Sequence, residues 1–189
     1  MKNKISAVAL VLIGMLFISK ISFAQAMSMN TMVGGEAMYP QKDIIDNAVN
    51  SKDHTTLVAA VKAAGLVETL KGKGPFTVFA PTNDAFAALP AGSVDNLLKP
   101  ENKSTLTQIL TYHVVVGKVS YNDLKEMIKK GNGKATLKTV SGGTLTAMMN
   151  GDVSISIMDE KGNTSNISVY DVYQSNGVIH VVDHVLMPK

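Results

Sequence analysis

Four histidines, His54, His113, His180 and His184, are the side chains best suited to chemistry in this 189-residue chain, which has no cysteine. A histidine moves protons near neutral pH or ligates a metal. His180 and His184 are four apart, which on a helix would set both on one face. Their surroundings, Val178-Ile179-His180-Val181-Val182, read as strand instead. Four strand residues separate side chains by roughly 13 Å, too far for one ion. Asp183 and His184 are adjacent, so a continued strand sends them to opposite faces and keeps them from orienting one another. No Gly-x-Ser-x-Gly elbow supplies a nucleophile. Asp159, Lys161 and Asn163 have calcium-loop spacing, but Thr164 stands where the loop needs glycine, and the closing glutamate is missing. Lys71-Gly72-Lys73-Gly74 lacks the further spacing of a nucleotide loop. These residues imply no enzyme and no cofactor. Met27, Met29 and Met32 offer thioethers, soft ligands for Cu(I). They sit in a stretch without periodicity that reads as an unordered leader.

The elements around these residues are legible from their periods. Phe76 to Ala80 is β-branched and aromatic, a strand with apolar residues on both faces, so both faces should be covered. Pro81 ends its ladder. Thr82 and Asn83 suit helix caps, and Asp84 suits the positive end of the helix dipole. Before this strand, a short helix over 43–49 precedes one capped by Asp53. The second helix carries Leu57, Val58, Val61 and Ala64 to a stop at Gly65, with His54 exposed in its first turn. After it, Ser93 caps a short helix, and another runs to Tyr112 on Leu106, Ile109 and Leu110. A strand over 113–116 stops at Gly117, and Ser120 with Asp123 caps a helix carrying Leu124, Met127 and Ile128. From Lys134 the period becomes two, giving strands over 135–140, 144–149, 153–158, 167–172 and 178–182, with Asn150-Gly151 as a hairpin turn. Helices first and antiparallel strands later make an α+β pattern.

Lys2 and Lys4, an apolar run over 5–18 and the small residues of Ser22-Phe23-Ala24-Gln25-Ala26 read as a secretory signal over 1–26. The leader then covers 27–40 and a single domain 41–189, with no transmembrane span in the mature chain. The expected location is the periplasm or the cell exterior. All eighteen basic residues are lysine. Three leave with the signal and no acid does, so fifteen lysines balance fifteen Asp and Glu. A neutral, exported chain without arginine lacks the forks that read phosphates and bases, so nucleic acid is not an expected partner. Lys118, Lys125, Lys129, Lys130, Lys134 and Lys138 crowd one stretch and suit a diffuse, salt-sensitive contact with an anionic glycan or cell surface.

Three ordered stretches carry a resemblance. Thr77-Val78-Phe79-Ala80-Pro81-Thr82-Asn83-Asp84-Ala85-Phe86 resembles the first signature of fasciclin-type domains. Tyr112-His113-Val114-Val115-Val116-Gly117 and Asn176-Gly177-Val178-Ile179-His180-Val181-Val182-Asp183, running on to Pro188, are similar to its later segments. The resemblance covers about 41–189. It implies a wedge of two mostly antiparallel sheets flanked by short helices. It makes Thr82, Asn83, Asp84, Tyr112, His113, Gly177 and His180 structural, and sets the first and last segments side by side as core strands. It also implies a non-enzymatic adhesion module for cell-surface or matrix protein, polysaccharide or lipid. The alternative is a periplasmic carrier of a small ligand, or of copper on the methionine leader.

Overall fold

The alternating residues after Lys134 pair into a meander, and the early strand joins its far end. The computed structural model describes residues 30–189; the expected signal segment, Met27 and Met29 lie outside them. In chain order the elements are β1 (Met32–Val33), β2 (Glu36–Ala37), α1 (Ile44–Ala48), α2 (Thr55–Ala64), α3 (Val67–Lys71), β3 (Phe76–Pro81), α4 (Asn83–Ala87), α5 (Ser93–Leu97), α6 (Lys103–Tyr112), β4 (Val114–Val116), α7 (Tyr121–Lys130), β5 (Lys134–Lys138), β6 (Thr144–Asn150), β7 (Ser154–Met158), β8 (Thr164–Gln174) and β9 (Gly177–Val182).

Seven strands form one sheet in the order β4-β3-β9-β8-β7-β6-β5. All its pairs are antiparallel except β3 with β9, the first and last motif segments, which run parallel side by side. The long β8 shifts register between Ile167 and Val169 and again before Val172. Such irregularities bend a strand, so the start of β8 serves β7 while its remainder serves β9. The two halves are the two sheets of the expected wedge. At its far side the outer strands meet: Val140 N–H donates to Val114 O at 2.7 Å, and Val115 pairs with Thr139.

Two apolar cores follow from the two faces of β3. Val78 and Ala80 face a core built with Ile44, Leu57, Val61 and Leu110 of the helices. Phe79 faces the other, between the sheet halves, with Leu145, Ile155, Ile157 and Val182. Leu124 and Ile128, four apart, seat α7 on this second core, and the Ser120–Asp123 capping box starts that helix.

Three local expectations fail for identifiable reasons. Residues 31–39 fold instead of trailing: β1 and β2 form a hairpin, and Val33 and Met38 are buried. Gly34-Gly35, with φ of 61° and 78°, supplies the left-handed turn that a tight hairpin needs. His54 is only 3% exposed. A 3-10 turn over Lys52–His54 precedes α2, so Asp53 caps nothing and His54 turns inward, its Nδ1 2.8 Å from Ser51 Oγ. Ser93 is the first residue of α5 and not its cap; Gly92 holds the cap position with φ of 78°.

Candidate functional site

The motif residues converge where β3, β4 and β9 meet the helices, and almost all of their polar atoms are engaged. Thr82 Oγ1 accepts from Ala85 N–H at 3.2 Å and caps α4. Asn83 caps a different helix. Its Oδ1 accepts from Thr56 N–H at 3.0 Å and from Thr55 Oγ1–H at 3.2 Å, while its Nδ2 donates to Lys52 O at 2.8 Å. The side chain therefore ties the start of α2 to the end of β3. Asp84 is exposed in the first turn of α4 and has no side-chain hydrogen bond among the described residues. Its effect is limited to the helix dipole.

Tyr112 and His113 close α6 and point in different directions. The Tyr112 hydroxyl donates to Thr144 O at 2.7 Å and accepts from Glu160 N–H at 3.0 Å, so the second core is pinned to the start of β6 and to the turn between β7 and β8. Burial pushes that phenol up to about 12. The His113 Nδ1–H donates to Ile109 O at 2.9 Å, and its Nε2 accepts from Leu186 N–H at 3.0 Å. This network fixes the neutral tautomer, and burial takes its pKa down to about 4. His180 Nε2–H donates to Val119 O at 2.9 Å, its Nδ1 accepts from Asp171 N–H at 3.3 Å, and its ring stacks on Phe79 at 5.7 Å between centroids. Burial lowers its pKa as well. Gly177 opens β9 opposite Phe76, so close that a Cβ there would collide with the Phe76 carbonyl oxygen.

No pair of these groups faces a common open space with a free donor or acceptor. His184 lies past the end of β9, where the chain bends, so its Nδ1 reaches Asp183 Oδ1 at 2.8 Å. The expectation that the two cannot orient one another rests on a strand continued through His184, whereas β9 stops at Val182. Among the described residues no group of three or more His, Asp or Glu is placed to hold a metal. The Asp159 carboxylate, the head of the supposed calcium loop, accepts from Lys161 N–H, Asn163 N–H, Asn163 Nδ2 and Met187 N–H. It closes a turn and holds the C-terminal segment.

Other residues in this region went unassigned in the sequence. Asn176 Oδ1 accepts from Ile44 N–H at 3.0 Å, and its Nδ2 donates to Leu70 O and Gly72 O, joining α1 and α3 to the start of β9. Asp183 accepts from Asn166 N–H, Asn166 Nδ2 and Ser165 Oγ–H. A visible hint was an Asx residue at each end of the last strand, where backbone groups need side-chain partners.

The six lysines are all exposed but do not form one patch. Lys118 lies 4.4 Å from the Tyr173 ring centroid and Lys125 5.4 Å from that of Tyr121. Lys130 pairs with Glu126 at 3.4 Å. Lys125 and Lys129 border a groove on one side of α7 with Met149 and Asp152. Lys138 borders another groove, with Met127 and the exposed Val116 and Val140. Lys134 shares the exposed face of β5 with Lys138.

The comparisons with known proteins agree with this geometry. A fasciclin domain family model matches residues 52–188. Protein sll1483 of Synechocystis is 47% identical over 147 residues, spanning 77% of this chain and 73% of that protein. Immunogenic protein MPB70 of Mycobacterium bovis is 38% identical over 146 residues, 75% of this chain and 66% of that protein. A fasciclin domain pair from the insect cell adhesion molecule Fasciclin I superposes with a TM-score of 0.70 at 18% identity, covering 78% of this chain and 51% of that one. On its motifs, its wedge of strands and its relatives, the chain belongs to the fasciclin domain family.

Proposed function

We propose that this protein is an exported, non-enzymatic binding module that attaches to a cell-surface or matrix protein, polysaccharide or lipid. The observation that carries this reading is the use of the motif side chains: Thr82, Asn83, Tyr112, His113 and His180 are spent on holding helices and strands together. None of these five side chains is left free for chemistry with a substrate, and contact falls to the exposed surface. The lysines on α7 and β5 are exposed on that surface. Lys125 and Lys129 border one groove, which also carries Glu126 and Asp152, and Lys138 borders a more apolar one; lysines spread out in this way suit an extended anionic partner more than a compact anion. The superposed insect protein, described as a cell adhesion molecule, supports the same class of role.

Retention of the purified protein on the cells that produce it, at low and high salt, tests this. Retention that fades as salt rises supports contact through the lysines. Retention indifferent to salt assigns the contact to the apolar groove around Met127 and Val140. No retention at either salt counts against adhesion to that surface.

A further inference from the structure

Protein interiors pack with few voids larger than a water molecule, yet the helical core contains one. A cavity of about 60 Å³ lies between α1, α2, α3 and the end of α6, over the floor made by β3 and β4. Its walls include Ile44, Leu57, Leu70 and Leu110, all buried. Only four lining residues are not buried: Ala48, Val58, Lys62 and Val67. They mark the mouth. Lys62 is the one charged residue among those lining it, and it has no ion pair among the described residues. His113 is the only other polar residue of the lining, and both its ring nitrogens are taken by Ile109 O and Leu186 N–H.

We propose that this cleft binds a short, unbranched aliphatic carboxylate, tail inward, with its carboxylate at the Lys62 ammonium. An apolar void of this kind stays dry and accepts apolar guests. A polar tail finds no partner inside, because the sole polar wall residue is already satisfied. The volume is well below the roughly 150 Å³ of an engineered cavity that takes benzene, so a linear chain of a few carbons fits where a ring does not. A single cation at the mouth then favours an anionic head. The site is separate from the lysines of α7 and β5, and the proposal does not depend on the adhesion reading.

Amide-shift NMR titrations of the protein with butanoate, hexanoate, octanoate, hexanol and hexylammonium test it. Affinity should rise about fourfold per methylene buried until the tail fills the cleft, with shifts confined to α1, α2, α3, the end of α6, β3 and β4. Hexanoate should bind several-fold tighter than hexanol or hexylammonium, and Lys62→Gln should remove the preference over hexanol. Ala48→Leu, which plugs the mouth, should abolish binding while the fold is kept. Flat affinity along the carboxylate series, shifts elsewhere on the surface, or an unchanged hexanoate preference in Lys62→Gln overturns the proposal. So does a folded Ala48→Leu protein that binds hexanoate normally. The chain-length series and Lys62→Gln decide the matter even if Ala48→Leu fails to fold.

Discussion

Replacing His113 by Phe keeps a ring of similar size in the same buried slot and removes both hydrogen bonds. Ile109 O and Leu186 N–H then lose their partner inside the protein. Each buried group left unpaired costs about 1–3 kcal/mol, so the loss near neutral pH is about 4 kcal/mol. For a domain of this size that is a fall in Tm of about 10 °C. The pH dependence makes the test specific. Folded His113 titrates at about 4, whereas an unfolded histidine does so at about 6.5. The unfolded chain therefore binds the extra proton first. The stability from keeping His113 neutral is complete above about pH 6.5, drains away below it, and is gone by about pH 4. At pH 5 the wild type has given up about 2 kcal/mol through this residue. The Phe variant has nothing to protonate there, so the gap between the two proteins should shrink from about 4 to about 2 kcal/mol. Urea unfolding at pH 7.5 and pH 5 measures both gaps. An equal gap at the two pH values, or no loss at pH 7.5, refutes the assignment of His113 as a neutral strut. His54 and His180 are lowered by burial in the same sense and leave residual acid sensitivity in the variant.

Further substitutions separate residues that the motifs place side by side. Asn83→Ala should cost about 1 kcal/mol, the loss of a helix cap, whereas the exposed Asp84→Ala should stay within about 0.5 kcal/mol; thermal melts of the pair decide this, and the reverse order contradicts the capping of α2 by Asn83. Gly177→Ala should destabilise by about 3 kcal/mol, because the new methyl meets the Phe76 carbonyl; a neutral result would mean that β9 shifts freely against β3. Tyr112→Phe leaves Thr144 O and Glu160 N–H without their partner and should cost about 2 kcal/mol. With its folded phenol raised to about 12, wild type should also lose stability between about pH 10 and 12, and the variant less so; parallel denaturation across that range checks the sign.

How much was readable in advance depended on whether the determining contact was local. A strand over 76–80 with both faces covered follows from five consecutive apolar or β-branched residues; the structure adds Pro81, opposite Val182, to its end. The Ser120–Asp123 cap followed from three-residue spacing. Asn83 was recognised as a cap but given to the wrong helix, since its true partner, Thr56, lies 27 residues away. His54 was placed outside because a 3-10 turn rotates it by an amount that helical spacing does not foresee. The Gly34-Gly35 hairpin was overlooked because its strands are two residues each, too short to show a period. The family likeness implies a structural role for the motif residues without naming their partners. The hydrogen-bond partners, such as Leu186 for His113 and Val119 for His180, are 73 and 61 residues distant. No reading of spacing reaches that far. The lysine cluster shows the opposite limit: Lys125 and Lys129 border one groove and Lys138 another, although the three are close in sequence.

The central claim is that the motif side chains hold the fold while the exposed surface does the binding. The most direct measurement compares wild type with a variant carrying Lys125, Lys129, Lys134 and Lys138 all changed to Glu, by thermal melting and by low-salt retention on the producing cells. These side chains are exposed, and none has an ion pair among the described residues. We expect a Tm within a few degrees of wild type and retention reduced at least tenfold. Full retention in a well-folded variant would contradict the claim that these lysines make the contact.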